Sequence, residues 1–282
     1  MLKRVTVPDI MEAKGERKLS MITAYDYPTG RLADLAGMDM VLVGDSLAMV
    51  VLGREDTLSV TMEEMIHHTK AASRGVERAL LVSDMPFMSY QESVEQALRN
   101  AGRLIKEGRA QAVKIEGGAE TSQTVRALTD AGIPVMGHVG LTPQRQIQLG
   151  GFRYQGKTVE AARILVEDAK ALSAAGAFSL VVECVPAETA QAIADAVDIP
   201  VIGIGAGPHC DGQVLVVHDM IGLFDRFKPR FVKSYAEFWP QALKALESYR
   251  DEVATGVFPG EDQTHHMTPE ELERVRRLLG QA

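Results

Sequence analysis

Short apolar runs without polar alternation recur along the chain, and most stop at a glycine, a carboxylate or a hydroxyl. Residues 19–24, 40–44, 79–82, 112–115, 133–136, 179–182, 199–202 and 214–217 follow this pattern, which suits strands buried on both faces. Helical patterns fall between most of them. The spacing predicts helices over 6–14, 26–35, 91–106, 120–130, 158–175 and 186–197, and another that opens at Thr61 and ends at Gly75. Thr61 with Glu64 three residues on has the form of a capping box. Residues 47–60 are mixed and read as a long loop or hairpin over one face.

Eight strands separated mostly by helices predict an α/β fold, a single (β/α)8 TIM barrel with an N-terminal helix and a C-terminal helical extension. An open doubly wound sheet is the alternative, with fewer strands and a switch point. The expected division is a catalytic barrel over 1–254 and a tail over 255–282, packed on the barrel or on a neighbouring subunit. Toward the C-terminus, 234–254 reads as a helix with the only tryptophan, Trp239, and, in the tail, 269–279 reads as a short charged helix.

Composition narrows the function classes. Hydrophobic residues make up 46% and charged residues 24%, a globular balance, and the net charge of -8 argues against a nucleic-acid surface. A small anionic substrate stays open, because one bound cation reverses the local field. Two cysteines, Cys184 and Cys210, make no disulfide framework. With no signal-peptide core in residues 1–18 and no apolar run of about 20 residues, the expectation is a cytoplasmic protein without a membrane span.

The residues that end the strands carry the chemistry. Asp45-Ser46, Ser83-Asp84, Lys114 with Glu116, His138, Glu183 and His218-Asp219 stand at or just beyond the runs. A parallel barrel gathers such ends on one rim, where this fold keeps its active sites. Taken singly, each polar residue there could be a turn or helix cap; five acids, a lysine and two histidines together point to a site. Asp45, Asp84 and Glu116 offer hard oxygen ligands suited to Mg²⁺ or Mn²⁺. With Lys114 beside such an ion, a substrate holding a carboxylate next to a carbonyl is favoured, the metal stabilising an enolate. Glu183, across the rim, is then the candidate base, strengthened by partial burial beside Val181 and Val182; a structural salt bridge is its other reading. The pairs His67-His68 and His265-His266 are poor metal candidates: the first points two ways from a helix and the second lies in the polar tail. Gly203-Ile204-Gly205-Ala206-Gly207 reads as a tight turn and not as a dinucleotide fingerprint.

Together these motifs resemble a known family. Thr23-Ala24-Tyr25-Asp26, Val43-Gly44-Asp45-Ser46-Leu47, Asp84-Met85-Pro86-Phe87, Ala112-Val113-Lys114-Ile115-Glu116-Gly117-Gly118, Gly137-His138-Val139-Gly140-Leu141-Thr142-Pro143-Gln144, Val182-Glu183-Cys184-Val185-Pro186 and Pro229-Arg230-Phe231-Val232-Lys233 resemble those of ketopantoate hydroxymethyltransferase, in the same order. The resemblance covers the chain to about Tyr249 and is weakest after Gly256. It implies a barrel of the phosphoenolpyruvate/pyruvate group that moves a hydroxymethyl group from 5,10-methylenetetrahydrofolate to 3-methyl-2-oxobutanoate. It further implies Mg²⁺ at Asp45, Asp84 and Glu116, substrate held by Ser46, Asp84 and Lys114, and Glu183 as proton acceptor. Asp45 through the metal and His138 as a hydrogen-bond partner complete the expected substrate contacts. A homo-oligomer, a decamer of two pentameric rings, is implied by resemblance alone. Against this stand a metal-dependent lyase working on another 2-oxo acid without folate, and a non-catalytic protein on an inherited barrel.

Overall fold

All eight expected apolar runs form strands, and their hydrogen bonds run parallel around a closed ring. In the computed structural model, which describes residues 3–281, these are β1 (Leu19–Thr23), β2 (Met40–Val43), β3 (Leu80–Asp84), β4 (Ala112–Glu116), β5 (Val135–Gly140), β6 (Ser179–Glu183), β7 (Val201–Ile204) and β8 (Gly212–Leu215). Each pairs with the next, and β8 closes on β1 with Leu19 opposite Gly212. The fold is a (β/α)8 barrel, as the strand–helix alternation predicts.

Two apolar clusters explain why the runs lack alternation. Met40, Leu42, Leu80, Val82, Ala112, Met136, Val181, Ile202 and Val214 fill the barrel interior. Their strand neighbours Val41, Val43, Leu81, Val113, Val135, Leu180, Val182 and Val201 pack outward among buried helix residues such as Met65, Ala101, Leu128, Leu172 and Ile193. Every strand is therefore wanted apolar on both faces, inside by the lumen and outside by the helix layer. Ile10, fully buried on the short helix Val7–Met11, joins the interior cluster with Val5 and Ala13.

Period two then fixes what stands at the top of the lumen. Leu80, Val82 and Asp84 share one face of β3, and Ala112, Lys114 and Glu116 share one face of β4. Met136 and His138 alternate in the same way on β5, as do Val181 and Glu183 on β6. Register puts Asp84 opposite Lys114 and Glu116 opposite His138. Once the apolar residues face inward at the bottom of these strands, the polar ones must face inward at the top.

Local signals set the helices. Thr6 with Asp9, Asp26 with Thr29, and Thr61 with Glu64 each form a reciprocal cap at the starts of the helices Val7–Met11, Tyr27–Leu35 and Met62–Ala72. Three strands lie elsewhere than expected. β5 runs Val135–Gly140 rather than 133–136, starting after Pro134. β7 starts at Val201 because Pro200 has no N–H for the ladder. β8 starts at Gly212 and ends at Leu215; the apolar run continues into a short helix, Val217–Met220, whose Val217 N–H bonds to Thr23 Oγ1. His218 and Asp219 thus belong to that helix and not to a strand end. Residues 47–60 contain a one-turn helix, Leu47–Val50, and then a loop.

The chain divides into two compact units, one ending at Tyr235 and one starting at Ala236. The second holds the helices Phe238–Thr255 and Pro269–Leu278, with the rings of Tyr249 and Phe258 in edge contact at 5.5 Å. Among the described residues no helix is long and apolar enough to cross a membrane.

Candidate active site

A single cavity of about 430 Å³ takes in Asp45, Ser46, Asp84, Lys114, Glu116, His138 and Glu183, all the site residues expected from the sequence. Its floor is a buried ionic net. Lys114 Nζ lies 3.0 Å from Asp84 Oδ1, 3.7 Å from Glu116 Oε1 and 3.2 Å from His138 Nδ1. His138 Nδ1 is 3.3 Å from Glu116 Oε1, and its Nε2 is 3.2 Å from Glu183 Oε2. Asp45 donates its backbone N–H to Asp84 Oδ2 at 3.0 Å, which ties the top of β2 to β3. A methyl group on Gly44 would come within 2.9 Å of Ser46 Oγ, so a larger residue here would displace that hydroxyl.

Accessibility separates the roles. The side chains of Asp84, Lys114, Glu116 and His138 are 4% exposed or less, whereas that of Glu183 is 17% exposed. Glu183 is thus the carboxylate of this net most open to a ligand. The next residue, Cys184, has φ of 49°, a left-handed backbone rare outside glycine, held by Cys184 N–H to Ile204 and by Gln155 N–H to the Cys184 carbonyl. Strain of this kind beside a functional side chain is typical of active sites. Cys184 itself is buried, its thiol pushed up to about 12 by burial and by the Glu183 charge, so it is no nucleophile.

The titrations follow from packing acids around one lysine. Burial and the neighbouring Asp84 and Glu116 charges raise Asp45 well above the carboxylate range. Burial also raises Asp84, although Lys114 works against it. Glu116 is lowered: the His138 and Lys114 charges overcome its burial. Burial and Lys114 disfavour a charge on His138, but Glu116 and Glu183 outweigh them and hold it at about 9, so the imidazolium persists at neutral pH. Lys114 is raised despite burial by Asp84, Glu116 and Asp45.

Does a divalent ion fit? Among the described residues no three His, Cys, Asp or Glu side chains form a ready-made metal cage. Asp84 and Glu116 turn toward Lys114, and Asp45 toward Gln144. Yet Asp84 Oδ1 and Glu116 Oε1 are buried without a hydrogen bond, so their contacts with Lys114 are electrostatic only. Mg²⁺ commonly takes one or two carboxylates and keeps waters for the rest of its octahedron. Oxygen donors only, in acid excess and with open lone pairs, fit such an ion better than zinc.

The net has members that charge patterns do not mark. Gln144 donates from Nε2 to Asp45 Oδ2 and to the Met85 carbonyl, each at 2.9 Å, and from its backbone N–H to Glu116 Oε2 at 3.0 Å. Tyr90 donates to Gln144 Oε1 at 2.8 Å, and its hydroxyl oxygen accepts the Glu116 backbone N–H at 3.0 Å. The Tyr25 hydroxyl lies 2.8 Å from Ser46 Oγ. Of the histidine pairs, His68 Nδ1 sits 2.7 Å from the Tyr25 carbonyl oxygen and His266 Nε2 3.0 Å from Glu261.

The model of a family described as ketopantoate hydroxymethyltransferase matches residues 4–261. The chain belongs to that family. It is 61% identical over 264 residues to the 3-methyl-2-oxobutanoate hydroxymethyltransferase of Moorella thermoacetica, covering 93% of this chain and 97% of the relative. Identity to the enzyme of the same name from Syntrophobacter fumaroxidans is 58% over 278 residues, 99% of each chain. Among solved structures, phosphoenolpyruvate phosphomutase from Streptomyces platensis superposes with a TM-score of 0.60 at 16% identity, covering 97% of this chain and 95% of the other. A 2,3-dimethylmalate lyase, described as a PEP mutase/isocitrate lyase superfamily member, gives 0.57 at 18%, covering 95% and 94%. These two likenesses show the shared barrel fold alone.

Proposed function

We propose that this chain is a cytoplasmic, Mg²⁺-dependent enzyme that transfers a hydroxymethyl group from 5,10-methylenetetrahydrofolate to 3-methyl-2-oxobutanoate, giving 2-dehydropantoate. One observation carries the reading: Glu183 is the most exposed carboxylate of the acid net, within 3.2 Å of an imidazolium, above a floor charged for a keto acid. Lys114 meets the negative charge of the bound substrate, and Ser46, set by Tyr25, offers a hydroxyl to its carboxylate. Asp45, Asp84 and Glu116 would hold Mg²⁺, directly or through water. When bound, the ion would polarise the keto oxygen and spread the charge that develops as the proton leaves.

Glu183 takes the C3 proton, and Lys114 and His138 offset the charge left on the substrate. Water cleaves both carbon–nitrogen bonds of the folate methylene, its two protons passing to the nitrogens, so that tetrahydrofolate leaves and the carbon is released at the formaldehyde level. C3 then bonds to that carbon as the carbonyl electron pair moves to its oxygen, which takes the proton from Glu183 to become the hydroxyl. The upper cavity suits a flat co-substrate, being walled by Phe152, Tyr154, Phe224, Phe227 and Phe231. Assembly as a homo-oligomer, a decamer by family, belongs to the same proposal and rests on the family alone.

The test is Glu183→Gln. Exchange of the C3 proton of 3-methyl-2-oxobutanoate with deuterated water should fall by about 10³-fold, within the 10²–10⁴ of an ordinary acid–base contribution. Keto-acid binding should persist. Undiminished exchange removes Glu183 as the base; carbon–carbon bond formation or cleavage in the parent without any folate would favour a lyase.

A further inference from the structure

Asp219 lines the same cavity but takes no part in the net at its floor. It is 9% exposed, and among the described residues its carboxylate accepts no hydrogen bond and makes no ion pair. Burial pushes it up to about 6, against the pull of the Lys228 charge. None of Asp45, Asp84, Lys114, Glu116 or Glu183 figures among the charges acting on it, which sets it apart from the floor. The sign is informative. An acid raised by folding is worse off ionised in the native state than in the unfolded chain, so its charge costs stability as pH rises from about 4 through 6. A buried, unpartnered charge that lowers stability is expected where a ligand supplies the missing donors.

The surroundings say which donors. Phe224, Phe227 and Phe231 offer flat apolar walls in the same cavity. A second polar group is also unmatched: Thr57 Oγ1, on a residue 2% exposed that lines the cavity, has no hydrogen-bond partner. An acceptor without a protein partner, in a cavity that aromatic rings also line, suits a planar heterocycle with adjacent N–H groups on one edge. Of the two reactants proposed above, the keto acid has no such donors, and the folate has them on its 2-amino-4-oxopyrimidine edge.

We infer that Asp219 is the recognition group for the folate, accepting hydrogen bonds from the 2-amino group and the adjoining ring N–H of the pterin. The inference rests on the folate reading above. It gives the cavity a division of labour, with the keto acid among the strand-end charges and the pterin held from the short helix Val217–Met220 after β8.

The experiment compares the full-length parent with Asp219→Asn. Relief of the buried charge should leave Tm at neutral pH equal to or above the parent's. KM for 5,10-methylenetetrahydrofolate should rise about tenfold or more, the size expected for loss of a hydrogen-bonded charge, while KM for the keto acid moves less than twofold. Direct titration with tetrahydrofolate and its 2-desamino analogue adds a readout free of turnover: the parent should prefer the amino form by about tenfold, and Asp219→Asn should not discriminate. A lowered Tm with both KM values raised would make Asp219 structural and overturn the inference, as would an unchanged folate KM in an active variant. A parent that binds tetrahydrofolate with this preference but makes no 2-dehydropantoate would instead overturn the proposed reaction alone.

Discussion

Asp45, Glu116 and Tyr90 share one neutral residue, Gln144, and the order of the acid net depends on it. Its amide fixes Asp45 from one side while its backbone fixes Glu116 from the other. Gln144→Leu keeps the volume but leaves Asp45 Oδ2 and the Tyr90 hydroxyl without their partner. Groups that orient metal-binding carboxylates typically matter 10–100-fold. The expected outcome is a fall in kcat/KM of that order, with a raised Mg²⁺ requirement, checked by Mg²⁺ titration of turnover. An unchanged Mg²⁺ dependence would reduce Gln144 to packing. This residue was hidden in the sequence for a physical reason: it is uncharged and lies in a 3-10 turn, Pro143–Arg145, past the strand end. Asp45, Asp84, Lys114, Glu116, His138 and Glu183 were legible because a charge at the end of an apolar run has few structural uses.

At the scale of elements, the apolar runs located the strands but did not give their ends. Pro200 delays β7 and the helix Val217–Met220 absorbs the last residues of the run after β8, and both effects depend on pairing with neighbours. Which residues face the lumen was equally out of reach, since a run apolar on both faces hides its own parity. Helix starts were more legible, because a capping box is local. The one at Thr61 is reinforced from outside its helix, since Arg54 forms an ion pair with Glu64. Its hydrogen bond to the Arg54 guanidinium, working against the upward push of slight burial, draws the Glu64 carboxyl from 4.5 down to about 2. A depressed acid stabilises the fold fully above its unfolded value, and that stabilisation fades as pH falls from about 4.5 toward 2. Arg54→Met should therefore lower Tm at pH 7 by more than it does at pH 3, as thermal melts across that range would show. An equal difference at both pH values would mean the pair adds nothing, as is common for exposed pairs.

For the molecule as a whole, one barrel end concentrates buried acids, and the remaining fold must hold them there. Strands β2, β3 and β4 bring Asp45, Asp84 and Glu116 into a space where Lys114 and His138 are the counter-charges. The fold class could be read from strand–helix alternation, but this crowding could not, because it arises only when the ring closes. Crowding of like charge makes the native state itself responsive to a bound cation. A ligand that binds the folded form alone adds about 2.7 kcal/mol at a hundredfold excess over its Kd. For a chain of this size that amounts to a rise in Tm of roughly 5–10 °C. Mg²⁺ should therefore raise Tm, and a chelator should reverse the rise without unfolding the barrel, whose apolar clusters do not involve the ion. Asp45→Asn separates this from a general salt effect. It removes one buried charge, so without metal its Tm should match or exceed the parent's, and the Mg²⁺ shift should shrink to about 1 °C or less if most of the affinity is lost. The same Mg²⁺ shift in parent and variant would mean that the ion binds somewhere other than the acid net.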